Sequence, residues 1–442
     1  MRALVVGAGI GGLTSALSLH LAGIDAIVID SAPDLRPVGV GINMLPHAAR
    51  ELTELGLGPA LADIAIPTGE LVHLDRLGNR IWGEPRGLAC GYRWPQYSVH
   101  RGALQALLLR AVRDRLGPGA VRAGTAFRTL EQGTDDVRST LAGPGGASLE
   151  ADSDIVIGAD GLHSAVRALL HPGEGRPLWN GVRMWRGVAE TEPFLDGQTM
   201  IMAGSNRAAK FVAYPISREA QRRNRSLVNW VAEVRVQDEA VQVPDWNRAG
   251  RLDDVLPHFA GWRLAGIDAG ALMAASGPIL EYPMVDRDPL PGWGTGRVTL
   301  LGDAAHPMYP VGSNGASQAI IDARTLAYAL ASEASPVAGL AAYETARRDV
   351  VNAIVLANRA MPADRVLHLV EQRAAAGFDR IEDVLSPGEL AELAEAYRST
   401  TGTDVARLNS RSTLNPESAP VPVRPTDRHI SSSPTAERLT RQ

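Results

Sequence analysis

Six residues near the start of the chain, Gly7-Ala8-Gly9-Ile10-Gly11-Gly12, constrain its fold more than any other feature. They follow the apolar run of residues 3–6. Leu13, Ala16, Leu17 and His20 come next at helical spacing, and DAIVID at 25–30 then reads as a second strand. A strand, glycine turn, helix and strand in this order make a dinucleotide-binding unit. Gly7 supplies the tight turn, Gly9 lets the backbone approach a pyrophosphate at the helix N-terminus, and Gly12 lets helix and strand touch. Asp30, ending the second strand, is placed to accept hydrogen bonds from an adenosine ribose. The motif alone does not separate NAD from FAD, and its glycines explain the apolar N-terminus better than a signal peptide does.

The strand-to-turn pattern recurs twice. Residues 154–170, DIVIGADGLHSAVRALL, carry Asp160-Gly161 after an apolar run; an ordinary turn with Ser164 capping a helix would explain that pair equally well. Residues 299–323, TLLGDAAHPMYPVGSNGASQAIIDA, place Gly302-Asp303 at the end of a buried strand. A helix begins around Gly315, with Ala319, Ile320, Ala323 and Leu326 as its apolar stripe. Ligands of open α/β sheets sit at the carboxyl ends of the strands, and a helix N-terminus favours negative charge. A Gly-rich approach therefore makes room for a flat, partly anionic ring beside bare backbone.

Bulk properties narrow the partners. A chain of 442 residues is expected to form two intimately packed domains. Its formal net charge of -5 gives no footprint for nucleic acid, and no apolar run reaches the ~20 residues that cross a bilayer. Cys90 is the only cysteine, which excludes an intrachain disulfide and paired redox thiols and points to a cytoplasmic address. His47, His73, His100 and His163 lack metal-ligand spacing. The oligomeric state stays open.

Between 175 and 290 short alternating runs, VRMWRGVAE, KFVAYPIS and SLVNWVAEVRV, read as antiparallel strands. The expected organisation is α/β: a Rossmann-like domain in 1–174, with some strands of the other domain around 70–100, then an antiparallel-sheet domain in 175–290. The first domain resumes in 291–375 with helices, including one over 340–360; a helical segment spans 376–407, and a Ser/Pro/Arg-rich disordered tail spans 408–442.

The three glycine motifs, in this order and at these depths, resemble the single-component FAD aromatic hydroxylases, the class A flavoprotein monooxygenases typified by 4-hydroxybenzoate hydroxylase. RPVGVGIN, PQYSVHRG, MWRGV, VAYPIS, SLVNWV and YPMVDRDPLP bring the chain nearest to the phenazine-tailoring branch, the 5-methylphenazine-1-carboxylate monooxygenase-like enzymes. The resemblance spans residues 1 to about 375. It implies that Gly7, Gly9 and Gly12 hold the FAD pyrophosphate, Asp30 the ribose, Arg101 the diphosphate or ribitol chain, and Gly302-Asp303 the ribitol, with Arg36 among the cofactor-binding residues. Asp160 and Gly161 match a motif associated with FAD and pyridine nucleotide, Asp160 acting through the loop it holds. Pro310 lies beside the flavin ring; Gly312, Asn314, Gly315 and Ala316 face its pyrimidine. Ser317 replaces a frequent family asparagine. Gly39 and Gly41 lie where the family has a mobile flavin. His306 is expected to support its loop.

In the family the middle segment roofs the flavin and forms the substrate pocket, so Trp185, Arg186, Tyr214, Asn229 and Tyr282 are candidate pocket residues. Arg183 or Arg186 would clamp a substrate carboxylate bidentately. The resemblance implies NADH- or NADPH-dependent hydroxylation, or oxidative decarboxylation, of an electron-rich aromatic or heteroaromatic small molecule in secondary metabolism. There the reduced FAD and O₂ form a C4a-hydroperoxide and the protein orients the ring. Alternatives are a related flavoenzyme that epoxidises or inserts oxygen beside a ketone, and an inert flavin-binding regulatory module. No halogenase stretch is present.

Overall fold

Val6, Gly158 and Leu300 lie side by side at one edge of a six-stranded sheet, so all three glycine motifs emerge together. The computed structural model describes residues 1–37, 39–236, 248–361, 364–393 and 404–415. Its first sheet runs Gly294–Thr295, Val298–Leu300, Ile155–Gly158, Arg2–Val6, Asp25–Asp30, Val121–Ala123, parallel throughout except the first pair. Val5 pairs with Ile157 on one side and Val28 on the other. Continuous apolar strands of this kind need cover on both faces. Helices Ile10–Leu21 and Asn314–Ser332 contribute Leu13, Ile320 and Leu326 to the same buried core as Val5, Ile157 and Leu300.

The glycines at the first turn are required by contact. A Cβ on Gly12 would lie 1.9 Å from the Gly7 carbonyl oxygen; one on Gly7, whose φ is +107°, would lie 2.4 Å from the Ala159 oxygen. No side chain fits in either place.

The second sheet has seven strands in the order Leu280–Asp286, Leu178–Thr191, Ser226–Arg235, Ala209–Pro215, Thr199–Gly204, Glu70–Leu74, Arg80–Pro85. Its last two strands come from the first 174 residues, and Thr199–Gly204 pairs with Glu70–Leu74 in parallel. Period-two alternation divides the side chains. Trp185, Phe211 and Trp230 form a core on one face with Phe259. Met184, Arg186, Lys210, Val212, Val231 and Glu233 occupy the other, in rows that pair Lys210 with Glu233 and Arg186 with Val231. A small sheet places Gln96–His100 between Gly41–Met44 and Ile66–Thr68.

Helix Pro336–Arg359, capped by Ser335, follows the Rossmann-like part. Residues 408–415, read from composition as the start of a disordered tail, are anchored through Leu408 and Asn409, while residues 410–413 are exposed. Leu408 is buried in helix Val405–Ser410, and Asn409 donates to the Gly91 carbonyl and accepts from the Arg93 N–H. A composition rule averages over a segment and passes over one anchoring Leu-Asn pair. Residues 416–442 of that tail, and 394–403 of the helical segment before it, lie outside the described residues.

Candidate active site

The turn after the first strand is braced on all sides. Asp30 accepts from the Ala8 N–H at 2.7 Å and the Ala32 N–H at 2.8 Å, and Gln105 donates to the Ala8 carbonyl at 2.8 Å. Gly9 precedes helix Ile10–Leu21 with no side-chain cap, and nothing lies within 4 Å of where its Cβ would be. The first N–H groups of this helix are thus left for an external acceptor over open space. Arg101 begins helix Arg101–Leu116; its N–H donates to the Val40 carbonyl, and its side chain runs past Gly39. Arg36 is not drawn in with them: it is exposed and paired with Asp34 at 2.5 Å. Asp160 accepts from Ser164 Oγ and the Ala165 N–H, bracing the turn at Gly161, whose φ is +77°.

At the third strand, Gly312 and Ser313 both adopt left-handed backbone, with φ of 72° and 62°. For a serine that conformation costs free energy and marks a constrained site. It turns the chain into helix Asn314–Ser332, whose start again lacks a side-chain cap. Asp303 Oδ1 lies 3.9 Å from where a Cβ on Gly315 would be. Asp303 is exposed, yet the protein packed around it raises its carboxyl above the ordinary range, opposed by His306 and Arg101. Pro310 is exposed on the same loop. Buried Asn314 holds an Nδ2 with no partner. Ser317 donates to the Ser313 carbonyl at 3.1 Å and accepts from the Leu45 N–H at 3.1 Å, tying the helix start to strand Gly41–Met44.

Behind this loop a buried network fixes its position. His306 Nε2 meets Asp322 Oδ2 at 2.5 Å, and the Gly302 N–H donates to the same oxygen. Arg347 donates to Asp322 Oδ1 at 2.8 Å and to Gln318 at 2.6 Å, and Gln318 donates to Asn314. Burial works against charge on Asp322, but His306 and Arg347 outweigh it and hold the carboxyl below the usual range. His306 therefore supports the loop. Arg347→Met would leave Asp322 short of its guanidinium partner, and the expected loss is about 3 kcal/mol of stability. Thermal unfolding of the holoprotein checks this; an unchanged melting temperature would contradict it.

A cavity separates Pro310, Val311, Gly312 and Ser313 from the second face of the seven-stranded sheet. Its middle is apolar, with Met184, Met200, Met202, Val212 and Val231. Arg186 and Tyr214 stand at one end, where the backbone of Gly41 is clamped. Asn229 Oδ1 accepts from the Gly41 N–H at 2.7 Å, and Tyr214 Oη donates to its carbonyl at 3.0 Å alongside the Arg186 guanidinium. Arg186 also donates to Tyr282 Oη at 3.1 Å, while its Nε has no partner among the described residues. Arg186, Tyr214, Tyr282 and Asn229 are thus brought together. Two candidates are not: Trp185 and Arg183 lie on the reverse face, where both meet Glu281. One residue of register separates them from Met184 and Arg186, and one residue reverses the face.

The far end of the cavity was missed in the sequence. Lys210, the chain's only lysine against 43 arginines, lies buried between Asp364, at 3.0 and 3.1 Å, and Glu233, at 2.9 Å. The signal was strand parity: Lys210 shares a face with Tyr214, and Glu233 with Asn229.

Two uncapped helix N-termini, the open space at Gly9, the carboxylate of Asp303 and the unpaired Asn314 amide together fit FAD, whose pyrophosphate and ring edge need such donors. The comparisons agree. A family model described as FAD binding domain matches residues 1–253 and 287–358. Phenazine 1,6-dicarboxylic acid hydroxylase PhzS of Lysobacter antibioticus is 50% identical over 359 residues, covering 80% of this chain and 88% of that protein. A 3-amino-4-hydroxybenzoate 2-monooxygenase, PtnB3, of Streptomyces platensis is 36% identical over 78% of this chain and 84% of its own. Among solved structures, Klebsiella pneumoniae HpxO complexed with FAD and uric acid shares the fold at a TM-score of 0.69 and 24% identity, over 93% of each chain.

Proposed function

The chain belongs to the FAD binding domain family, among its single-component aromatic hydroxylases, and from that membership we propose that it hydroxylates a heteroaromatic carboxylate, using NADH or NADPH and O₂. The phenazine carboxylates are the substrate class we favour. The supporting observation is the cavity between the Pro310–Ser313 backbone and one sheet face, with an apolar middle and polar residues including Arg186, Tyr214, Lys210, Glu233 and Asp364 in its lining.

In this reading Gly7, Gly9 and Gly12 receive the FAD pyrophosphate, Asp30 and Arg101 the adenosine and diphosphate portions, and Asp303 the ribitol. The backbone from Gly312 to Ala316 faces the ring edge, and Asp160 and Gly161 act through the turn that Asp160 braces. Bound FAD supplies the activation of O₂ and delivers the transferred oxygen. Arg186 holds the substrate carboxylate, because its named side-chain partners, the Tyr282 hydroxyl and the Gly41 carbonyl, are neutral and leave its charge uncompensated. Met184, Val212 and Val231 exclude water and press the ring toward Pro310. A cytoplasmic setting, where reduced pyridine nucleotide is available, suits a chain with a single cysteine.

The test is NADH and NADPH oxidation by the yellow protein across phenazine, quinoline, indole and phenol carboxylates, with product masses. Oxidation stimulated by a phenazine carboxylate, with one oxygen gained, is the expected result. Flavin that stays oxidised under anaerobic NADH and NADPH with every ligand would overturn it in favour of an inert binding module.

A further inference from the structure

The cavity end opposite Arg186 holds an unbalanced set of charges. Lys210 extends from strand Ala209–Pro215, Glu233 from Ser226–Arg235 directly across the ladder, and Asp364 from the C-terminal part of the chain. All three are more than nine-tenths buried, and all three line the cavity. One ammonium serves two carboxylates. Its hydrogen bonds are directed at both oxygens of Asp364, which also accepts from Asn206 Nδ2 at 2.6 Å. Glu233 Oε2 lies within ion-pair distance of Lys210 but has no aligned donor among the described residues, and Asn206 Oδ1 likewise has no partner among them. A proton on Glu233 would remove one surplus charge and give an unpaired oxygen a donor to share.

We propose that Glu233, the carboxylate left over once Asp364 has neutralised the one buried ammonium, carries a proton and is the donor that recognises a ring nitrogen of the aromatic substrate. This rests on the function proposed above. The charge balance decides between the two polar ends. Asp364 already neutralises Lys210, so an anionic substrate group here would face Asp364 unaided; a neutral in-plane acceptor would not. The carboxylate belongs at Arg186, and the ring nitrogen at Glu233.

The surroundings agree in sign. Burial raises the Glu233 carboxyl above the ordinary range; Lys210 opposes this and the charge of Asp364 adds to it. Burial alone would discharge Lys210, but the charge of Asp364, the largest opposing influence, keeps it an ammonium. Arg86 is paired with Glu84 at 2.6 Å. His73, lowered to about 3 by burial, Arg86 and Lys210, stays neutral, and burial also lowers His368 beside Asp364. Arg186 is charged throughout. Binding that needs a proton on Glu233 weakens as rising pH removes it.

The experiment titrates the oxidised holoenzyme with phenazine-1-carboxylate and with anthracene-1-carboxylate, which has the same outline and no ring nitrogen, following the flavin absorbance. Wild type is expected to bind the phenazine about tenfold more tightly, the value of one buried hydrogen bond, and Glu233→Leu to lose that preference. As pH rises, affinity for the phenazine falls in wild type and is flat in Glu233→Gln, whose amide keeps a donor at all pH. Because Lys210 is the only lysine, ¹³Cε-lysine labelling gives one side-chain resonance; it is expected to shift with the same midpoint in wild type and not in Glu233→Gln. Equal binding of the two compounds, or a Lys210 resonance that titrates identically in Glu233→Gln, would overturn the assignment of Glu233 and leave the hydroxylase reading standing. If neither compound binds or stimulates NADH or NADPH oxidation, both readings are overturned.

Discussion

Gly12→Ala is expected to yield a protein without bound FAD and with a much lower folding yield. The added methyl would sit 1.9 Å from the Gly7 carbonyl oxygen, and both atoms are fixed, one by the helix and one by the strand. No side chain can swing aside, so the helix start must move off the sheet. Overpacking of this kind costs roughly 1–3 kcal/mol or more, and here it falls on the turn that would receive the pyrophosphate. Gly9→Ala is the informative partner. Nothing lies within 4 Å of its added methyl, so the apoprotein should melt as wild type does. FAD affinity should nevertheless drop, because the methyl occupies the approach to the helix N-terminus. Equilibrium flavin binding and thermal melts of the apoproteins separate the two. A yellow, normally stable Gly12→Ala protein would contradict the account of this turn.

The second large effect concerns Arg186. Arg186→Met should raise KM for aromatic carboxylates by about 100-fold, the magnitude for removing one partner of a buried charge pair. Removal also frees the Gly41 carbonyl and the Tyr282 hydroxyl, which would disturb any ligand. The comparison with a neutral aromatic isolates the charge: its KM should change far less than that of its carboxylate counterpart. Equal changes for both would assign Arg186 to holding strand Gly41–Met44 alone.

What was readable in the sequence follows from how local each determinant is. The three glycine motifs are contiguous stretches, and in the first of them Gly12 is forced by the Gly7 carbonyl of its own turn; that is why the Rossmann-like part and its α/β class were legible from residues 7–12, 160–161 and 302–316. The antiparallel segment was legible from alternation, whereas Trp185, Arg186, Tyr214, Asn229 and Tyr282 became candidates only through the family resemblance. Which face each residue takes was not legible. Trp185 and Arg186 are adjacent in a strand, and only the packing of Trp185 with Phe211 and Trp230 shows which of them turns from the cavity. Lys210, Glu233 and Asp364 needed two strands in register and a segment 131 residues beyond Glu233, a relation no local pattern contains. Ser317 was noted as a departure from the family pattern, but its bond to the Leu45 N–H spans 272 residues and is visible only in the fold. The same holds for Arg347, which reads as one more helix-surface charge until Asp322 and Gln318 are found beneath it.

The measurement that bears most directly on the central claim is a reaction under ¹⁸O₂ with NADPH or NADH and phenazine-1,6-dicarboxylate, followed by mass spectrometry of the product. The account predicts one ¹⁸O atom in the aromatic product for each nicotinamide oxidised, and none when ¹⁶O₂ is used in H₂¹⁸O. Nicotinamide consumed with all its electrons recovered as hydrogen peroxide, across every aromatic carboxylate tried, would contradict it.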